Sequence, residues 1–186
     1  KKKGGGAAQL DIGAYESGDL FYTHVNTGSG SHISSIDHPD LNGDSAADDI
    51  HITSNWSHDG ALGPYNDDNE AIYYAGGLWR VFNEGFVDIE PNAAFNVVKF
   101  GAVTNAFEHE VTAAGANVTT LNKSGLDGES QRILQVTPNW TGTYNDHPPG
   151  VWYGFGHWQI SNLDLVNIPS GANYNVYYQE PSKSAW

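Results

Sequence analysis

The chain has 186 residues, with 8 Lys and Arg against 22 Asp and Glu, for a net charge of −14. Such a surface repels phosphate backbones and argues against a nucleic-acid partner, while suiting divalent cations or a neutral glycan. The lack of cysteine removes disulfides, thiolate metal sites and cysteine nucleophiles, and no run of about 18 apolar residues is present to span a membrane.

Residues 1–9, KKKGGGAAQ, are low in complexity and carry three of the eight basic side chains. Leu10-Asp11-Ile12-Gly13-Ala14-Tyr15-Glu16 follows, and it resembles the closing segment of right-handed parallel β-helix proteins on bacterial surfaces. Residues 1–18 are therefore expected to form an extended N-terminal segment.

From there the chain alternates apolar residues at period two between turn signals, the pattern of half-buried strands. Strands are predicted at Phe21–Asn26, Ser31–Ile36, Asp49–Ser54, Glu70–Ala75, Leu78–Asn83 and Ala94–Phe100. Ile50/Ile52, Ile72/Tyr74, Trp79/Val81 and Phe95/Val97 should face inward. Gly76-Gly77 reads as a hairpin turn, and Asp40-Leu41-Asn42-Gly43 and Pro91-Asn92 as further turns. After a short linker, Gly101–Ala106, the pattern returns at Phe107–Thr112, Ala116–Leu121, Arg132–Thr137, Gly150–Gly154, His157–Asn162 and Asn173–Gln179. Its inward set is Leu134/Val136, Val151/Tyr153, Trp158/Ile160 and Tyr174/Val176. No stretch holds a helical period.

The second half is a copy of the first. Thr53-Ser54-Asn55-Trp56 matches Thr137-Pro138-Asn139-Trp140, and Tyr65-Asn66-Asp67 matches Tyr144-Asn145-Asp146. From Tyr65 to Val97 and from Tyr144 to Val176 the copies keep one constant offset, aligning Trp79 with Trp158 and Asn83 with Asn162. The fold class is all-β: two tandem antiparallel β-sandwich or barrel modules of about 80 residues each. The domain boundaries are 1–18, 19–101 for module 1, 102–181 for module 2, and a tail over 182–186. The copies differ most after the Asn-Trp pair, where Ser57–Pro64 in module 1 shortens to Thr141–Thr143 in module 2.

The repeated residues resemble a family of uncharacterised tandem repeats in exported bacterial proteins. That family's pattern runs H-P-x-x-N-G, Q-N-W, Y-N-x-H-x-x-G-V-W-Y, R-W-x-I-F-N and G-A-x-F-N-V. His38-Pro39-Asp40-Leu41-Asn42-Gly43, Ser54-Asn55-Trp56, Trp79-Arg80-Val81-Phe82-Asn83 and Ala94-Phe95-Asn96-Val97 carry it in module 1. Tyr144-Asn145-Asp146-His147-Pro148-Pro149-Gly150-Val151-Trp152-Tyr153 and Gly171-Ala172-Asn173-Tyr174-Asn175-Val176 carry it in module 2. Module 1 has Asp68 where the pattern has its histidine, and module 2 has Lys123-Ser124 in place of H-P. The resemblance implies a fold and a bacterial surface location, and it assigns no catalytic residue.

Three chemistries compete for the polar and aromatic residues. Asp40, Asn42, Asp44 and Asp48 have the alternating oxygens that open a calcium loop, although Ser45 takes the glycine position and an ordinary acidic turn explains the same residues. Asn55, Trp56, Tyr65, Tyr73, Asn139, Trp140, Tyr144 and Trp152 combine planar rings with amides, as a lectin-like glycan site would. Trp79 and Trp158 read as core, Trp56 and Trp140 as core or ligand-facing, and Tyr73 and Trp152 as exposed. A hydrolase with paired acids such as Asp67 and Glu84 has only the abundance of acids behind it. Neither histidine ligand spacing nor a nucleophile elbow is present.

The function expected from these features is a non-enzymatic structural or adhesive subunit of an extracellular bacterial surface assembly or fibre. Its partners would be identical subunits or a larger surface protein, joined by addition of the N-terminal strand to a neighbour's sheet edge. The alternative is a carbohydrate-binding tandem module of a secreted protein.

Overall fold

A computed structural model describes residues 19–45, 49–58, 60, 63–101 and 104–180. The N-terminal segment 1–18, the tail 182–186 and the candidate ligand Asp48 lie outside the described residues. Those described form strands and turns without a helix. Module 1 holds β1 (Leu20–Val25), β2 (Ile33–Ile36), β3 (Ile50–Ser54), β4 (Glu70–Ala75), β5 (Leu78–Asn83) and β6 (Ala94–Lys99). Module 2 holds β7 (Ala106–Glu110), β8 (Val118–Leu121), β9 (Ile133–Pro138), β10 (Pro149–Gly154), β11 (His157–Asn162) and β12 (Asn173–Gln179).

Each module is a sandwich of two three-stranded antiparallel sheets. Module 1 orders its strands β1-β6-β3 and β2-β5-β4, and module 2 repeats this as β7-β12-β9 and β10-β11-β8. The registers repeat as well: Ile72 pairs with Val81, and its twin Val151 with Ile160. The copies share backbone geometry even where their residues differ. Gly76-Gly77 and Phe155-Gly156 both turn their hairpins through two positive φ values, of 61° and 85° and of 55° and 86°.

The alternating residues do what their period demands. Ile36, Ile50, Ile72, Trp79, Val81, Phe95 and Val97 close the first core, while Leu121, Ile160, Tyr174 and Val176 anchor the second. Trp79 also ties down the acidic loop by donating its indole N–H to the Asp44 carbonyl at 2.8 Å, as Trp158 does to Glu129 at 3.0 Å. One inward assignment fails. Val151 is 38 % exposed although its twin Ile72 is fully buried, for a reason that lies at the boundary between the modules.

Candidate functional site at the module boundary

In each sandwich the edges of the third and fourth strands lie on the same side. Module 2 covers that side of module 1 with the outer face of its β7-β12-β9 sheet. Alternation along β9 and β12 points Thr137 and Asn175 outward from the core of module 2. Asn139 Nδ2 donates to Asn175 Oδ1 at 3.1 Å, which orients the second amide so that Asn175 Nδ2 reaches the Ile50 carbonyl at 2.9 Å. Thr137 Oγ1 accepts the Ile52 amide at 3.3 Å and lies 3.2 Å from His51 Nδ1. The Trp140 amide donates to the Ile72 carbonyl at 2.8 Å, beside an isolated parallel bridge between Ile72 and Asn139. A sheet edge otherwise open to pairing is thus satisfied by side-chain amides and one turn.

Aromatic rings surround this polar seam. Trp140 stacks on Tyr144 at 5.3 Å and meets Tyr73 edge-on at 5.6 Å. Tyr144 reaches Phe82 at 6.0 Å and Phe86 at 5.1 Å. At the other end Phe100 and Tyr177 lie face to face, with centroids 3.6 Å apart.

Burial at the seam shifts three ionisable groups. Glu84 accepts the Asn145 amide at 3.3 Å, and its carboxyl is pushed up to about 8 by burial, with Asp146 and Asp68 adding to the rise. His51 is lowered to about 4 by burial alone. Tyr174, beside Glu84 and hydrogen-bonded from Asn145 at 2.9 Å, is also raised, chiefly by burial.

These contacts redistribute the candidate binding residues. Asn139, Trp140, Tyr144 and Tyr73 belong to the boundary, so Tyr73 is covered by module 2 and is not an exposed aromatic. Asn55, Trp56 and Tyr65, the copies in module 1, face outward instead: Asn55 Nδ2 bonds Asn96 Oδ1 at 2.8 Å, and the Trp56 and Tyr65 rings meet at 6.0 Å. Trp152 stands apart from them on β10. The Asn83 and Asn162 amides are structural, each in a reciprocal pair, with Asn66 at 2.9 Å and with Asn145 at 2.8 and 3.0 Å.

The three described candidate calcium ligands, Asp40, Asn42 and Asp44, lie beside other protein groups. Asp44 pairs with Lys99, Asn42 donates to Asp37 at 2.7 Å, and Asp40 lies 3.9 Å from His38. Among the described residues no three His, Asp or Glu side chains come together to hold a metal. A cleft of about 370 Å³ does open between the modules, lined by Tyr65, Asn66, Asp67, Glu70 and Thr137 among others. Glu70, which accepts from Asn66 at 3.0 Å and from Ser54, is raised by burial.

The model of a family described as Domain of unknown function (DUF7452) matches twice, over residues 9–99 and 79–178. The chain belongs to that family. Two matches to the DUF7452 model are consistent with the tandem duplication, and they overlap over residues 79–99. No curated protein and no solved structure matches. Sequence reasoning missed Asn175, Phe82, Phe86, Phe100 and Tyr177 as boundary residues of this DUF7452 chain. Asn175, Phe82 and Tyr177 offered only an outward position on a strand, which every surface residue shares, and Phe86 and Phe100 lie just beyond the ends of β5 and β6.

Proposed function

We propose that this protein is a non-enzymatic structural or adhesive subunit of an extracellular bacterial surface assembly, built from modules that lock together side by side. The observation that carries the reading is the use made of the repeated block. Asn139, Asn145, Thr137 and Asn175 would be the polar equipment of a ligand site, yet all four are buried and bond across or beside the module boundary. Buried amides satisfied in this way fix one relative orientation, because any slip leaves a donor or acceptor unpaired. A rigid two-module unit suits a load-bearing or spacing role at a surface. Immunogold labelling of thin sections of source cells with antibody to this chain tests the reading. Label along surface structures is expected, and label confined to the cell interior would overturn it.

A second reading, glycan binding, draws support from the cleft beside Tyr65 and from the exposed Trp56 and Trp152. Indole and phenol faces stack on sugar rings, and Asn66, Asp67 and Glu70 supply acceptors and donors for hydroxyls. Affinity gels with the wild type, Trp56→Ala and Trp152→Ala test it. Equal mobility of all three on every glycan would remove it.

A further inference from the structure

We infer that the boundary between the two modules is repeated between chains: the outer face of module 1 docks onto the open β9/β10 side of a second copy. The inference rests on the structural reading above and names its partner and contact surfaces.

The internal boundary joins two different faces. Module 2 contributes the outward residues of one sheet, and module 1 contributes the side bounded by β3 and β4. Each face has a twin that the described residues leave uncovered. On module 1, Thr53, Asn55, Asn96 and Asn66 are the twins of Thr137, Asn139, Asn175 and Asn145. The residue types are the same at all four positions. The four in module 2 are buried at the seam, whereas Thr53 and Asn96 are exposed. Orientation is conserved along with identity. Asn55 holds Asn96 Oδ1 as Asn139 holds Asn175 Oδ1, so the Asn96 amide nitrogen is presented as Asn175 presents its own to Ile50. Beside them stand Trp56, 51 % exposed, and Tyr65, 65 % exposed. A hollow of about 450 Å³ on the same outer sheet face is lined by Phe21, Thr23, Thr53, Asn96 and Val98.

On module 2 the open side is more apolar than the one already covered. Val151, Trp152, Leu163 and Leu165 occupy the positions of Ile72, Tyr73, Glu84 and Phe86. Ile50, Ile52, Ile72 and Trp79 are buried in module 1, while the twins Leu134, Val136, Val151 and Trp158 all retain solvent contact. The exposure of Val151 is the mark of a missing neighbour. Leu165 is 75 % exposed in the left-handed region at φ 67°, and its twin Phe86 adopts φ 61°. Left-handed backbone is unfavourable for such side chains. In module 1 it sets Phe86 against Tyr144, and in module 2 the same geometry faces solvent.

By the register of the internal boundary, Asn96 Nδ2 of one copy meets the Leu134 carbonyl of the next. Thr53 Oγ1 likewise meets the Val136 amide, and the Trp56 amide meets the Val151 carbonyl. Because the two faces differ, the contact is heterologous and extends head to tail. The net charge of −14 on each copy opposes approach, so added salt favours association.

Sedimentation velocity over a concentration series tests the inference, with two variants placed on exposed residues. Thr53→Arg/Asn96→Arg blocks one face, and Trp152→Asp/Leu165→Asp blocks the other. The wild type should form an open series, its average mass rising past twice the 20.1 kDa of the chain as concentration or salt increases. Each variant alone should stay monomeric with its thermal midpoint retained. Mixed together they should form a one-to-one dimer and stop, since each keeps the face the other lacks. A wild type monomeric at every concentration, variants that still self-associate, or a mixture that stays monomeric would each overturn the inference. Surface labelling on cells beside any of those results would leave the structural reading standing.

Discussion

Asn175 donates its side-chain amide to the backbone carbonyl of Ile50 at 2.9 Å, joining residues 125 positions apart in the chain. Its twin Asn96 is exposed, held by Asn55 in the same pose. Removing a buried amide strands its partners and costs about 1–3 kcal/mol, whereas removing an exposed one costs little. Asn175→Ala should therefore destabilise the protein by that amount in urea unfolding, and Asn96→Ala by under about 0.5 kcal/mol at dilution. Equal losses would contradict the assignment of only the second copy to the boundary.

Glu84 makes stability fall as pH rises. Its carboxyl is held up at about 8 when folded and returns to the usual carboxylate range when unfolded. Between those values the unfolded chain releases a proton that the folded chain keeps, so the unfolded state gains with each step in pH. The loss approaches about 1.4 kcal/mol per pH unit at its steepest and levels off above pH 8. Glu84→Gln should flatten this limb and be the more stable protein above pH 8. Parallel curves for the two proteins from pH 5 to 9 would rule the effect out.

His51 works with the opposite sign at the acid end. Burial lowers it to about 4, so below its ordinary value near 6.5 the unfolded chain takes up a proton that the folded chain refuses. Stability then falls as pH drops from 6.5 toward 4, and His24 and His109, both lowered by burial, add to the fall. Replacing His51 with Gln, the residue at its twin position 135, should make the acid limb shallower. Denaturation midpoints between pH 4 and 7 give the comparison.

The sequence made the strands legible because two copies spelled out the same period-two pattern with the same turns. His157–Asn162 and Glu70–Ala75 come out residue for residue. The boundary was not legible. Trp56 and Trp140 have the same local chemistry, as do Tyr65 and Tyr144, and nothing near either pair says which will be covered. The exposure of Val151 and the covering of Tyr73 follow from where the other module sits, a relation between distant residues that alternation cannot express. The acidic residues around Asp44 read as ligands for want of basic partners nearby in sequence, while the partner, Lys99, arrives from β6.

The Phe155 turn offers a local test. Phe155 is 93 % exposed and sits at φ 55°, in the position its twin Gly76 occupies at φ 61°. A non-glycine residue in that region costs about 1–2 kcal/mol relative to glycine, partly offset because glycine loses more entropy on folding. Phe155→Gly should raise stability by roughly 0.5–1 kcal/mol despite losing its edge contact with Trp152. A lower denaturation midpoint would show that the Trp152 contact outweighs the strain.

The stacked pair Phe100 and Tyr177 tests whether the modules unfold together. Their rings lie 10° from parallel and bridge the end of β6 to β12. Aromatic pairs contribute about 0.5–1.5 kcal/mol beyond their buried area. A double-mutant cycle with Phe100→Ala and Tyr177→Ala should return a coupling of that size. Calorimetry of the wild type should show one cooperative transition, because the seam carries backbone, amide and ring contacts at once. Adding Tyr144→Ala to the pair, which removes the contacts to Phe82 and Phe86, should split it into two. A wild type that already melts in two steps would mean the modules are joined far more weakly than their contacts require.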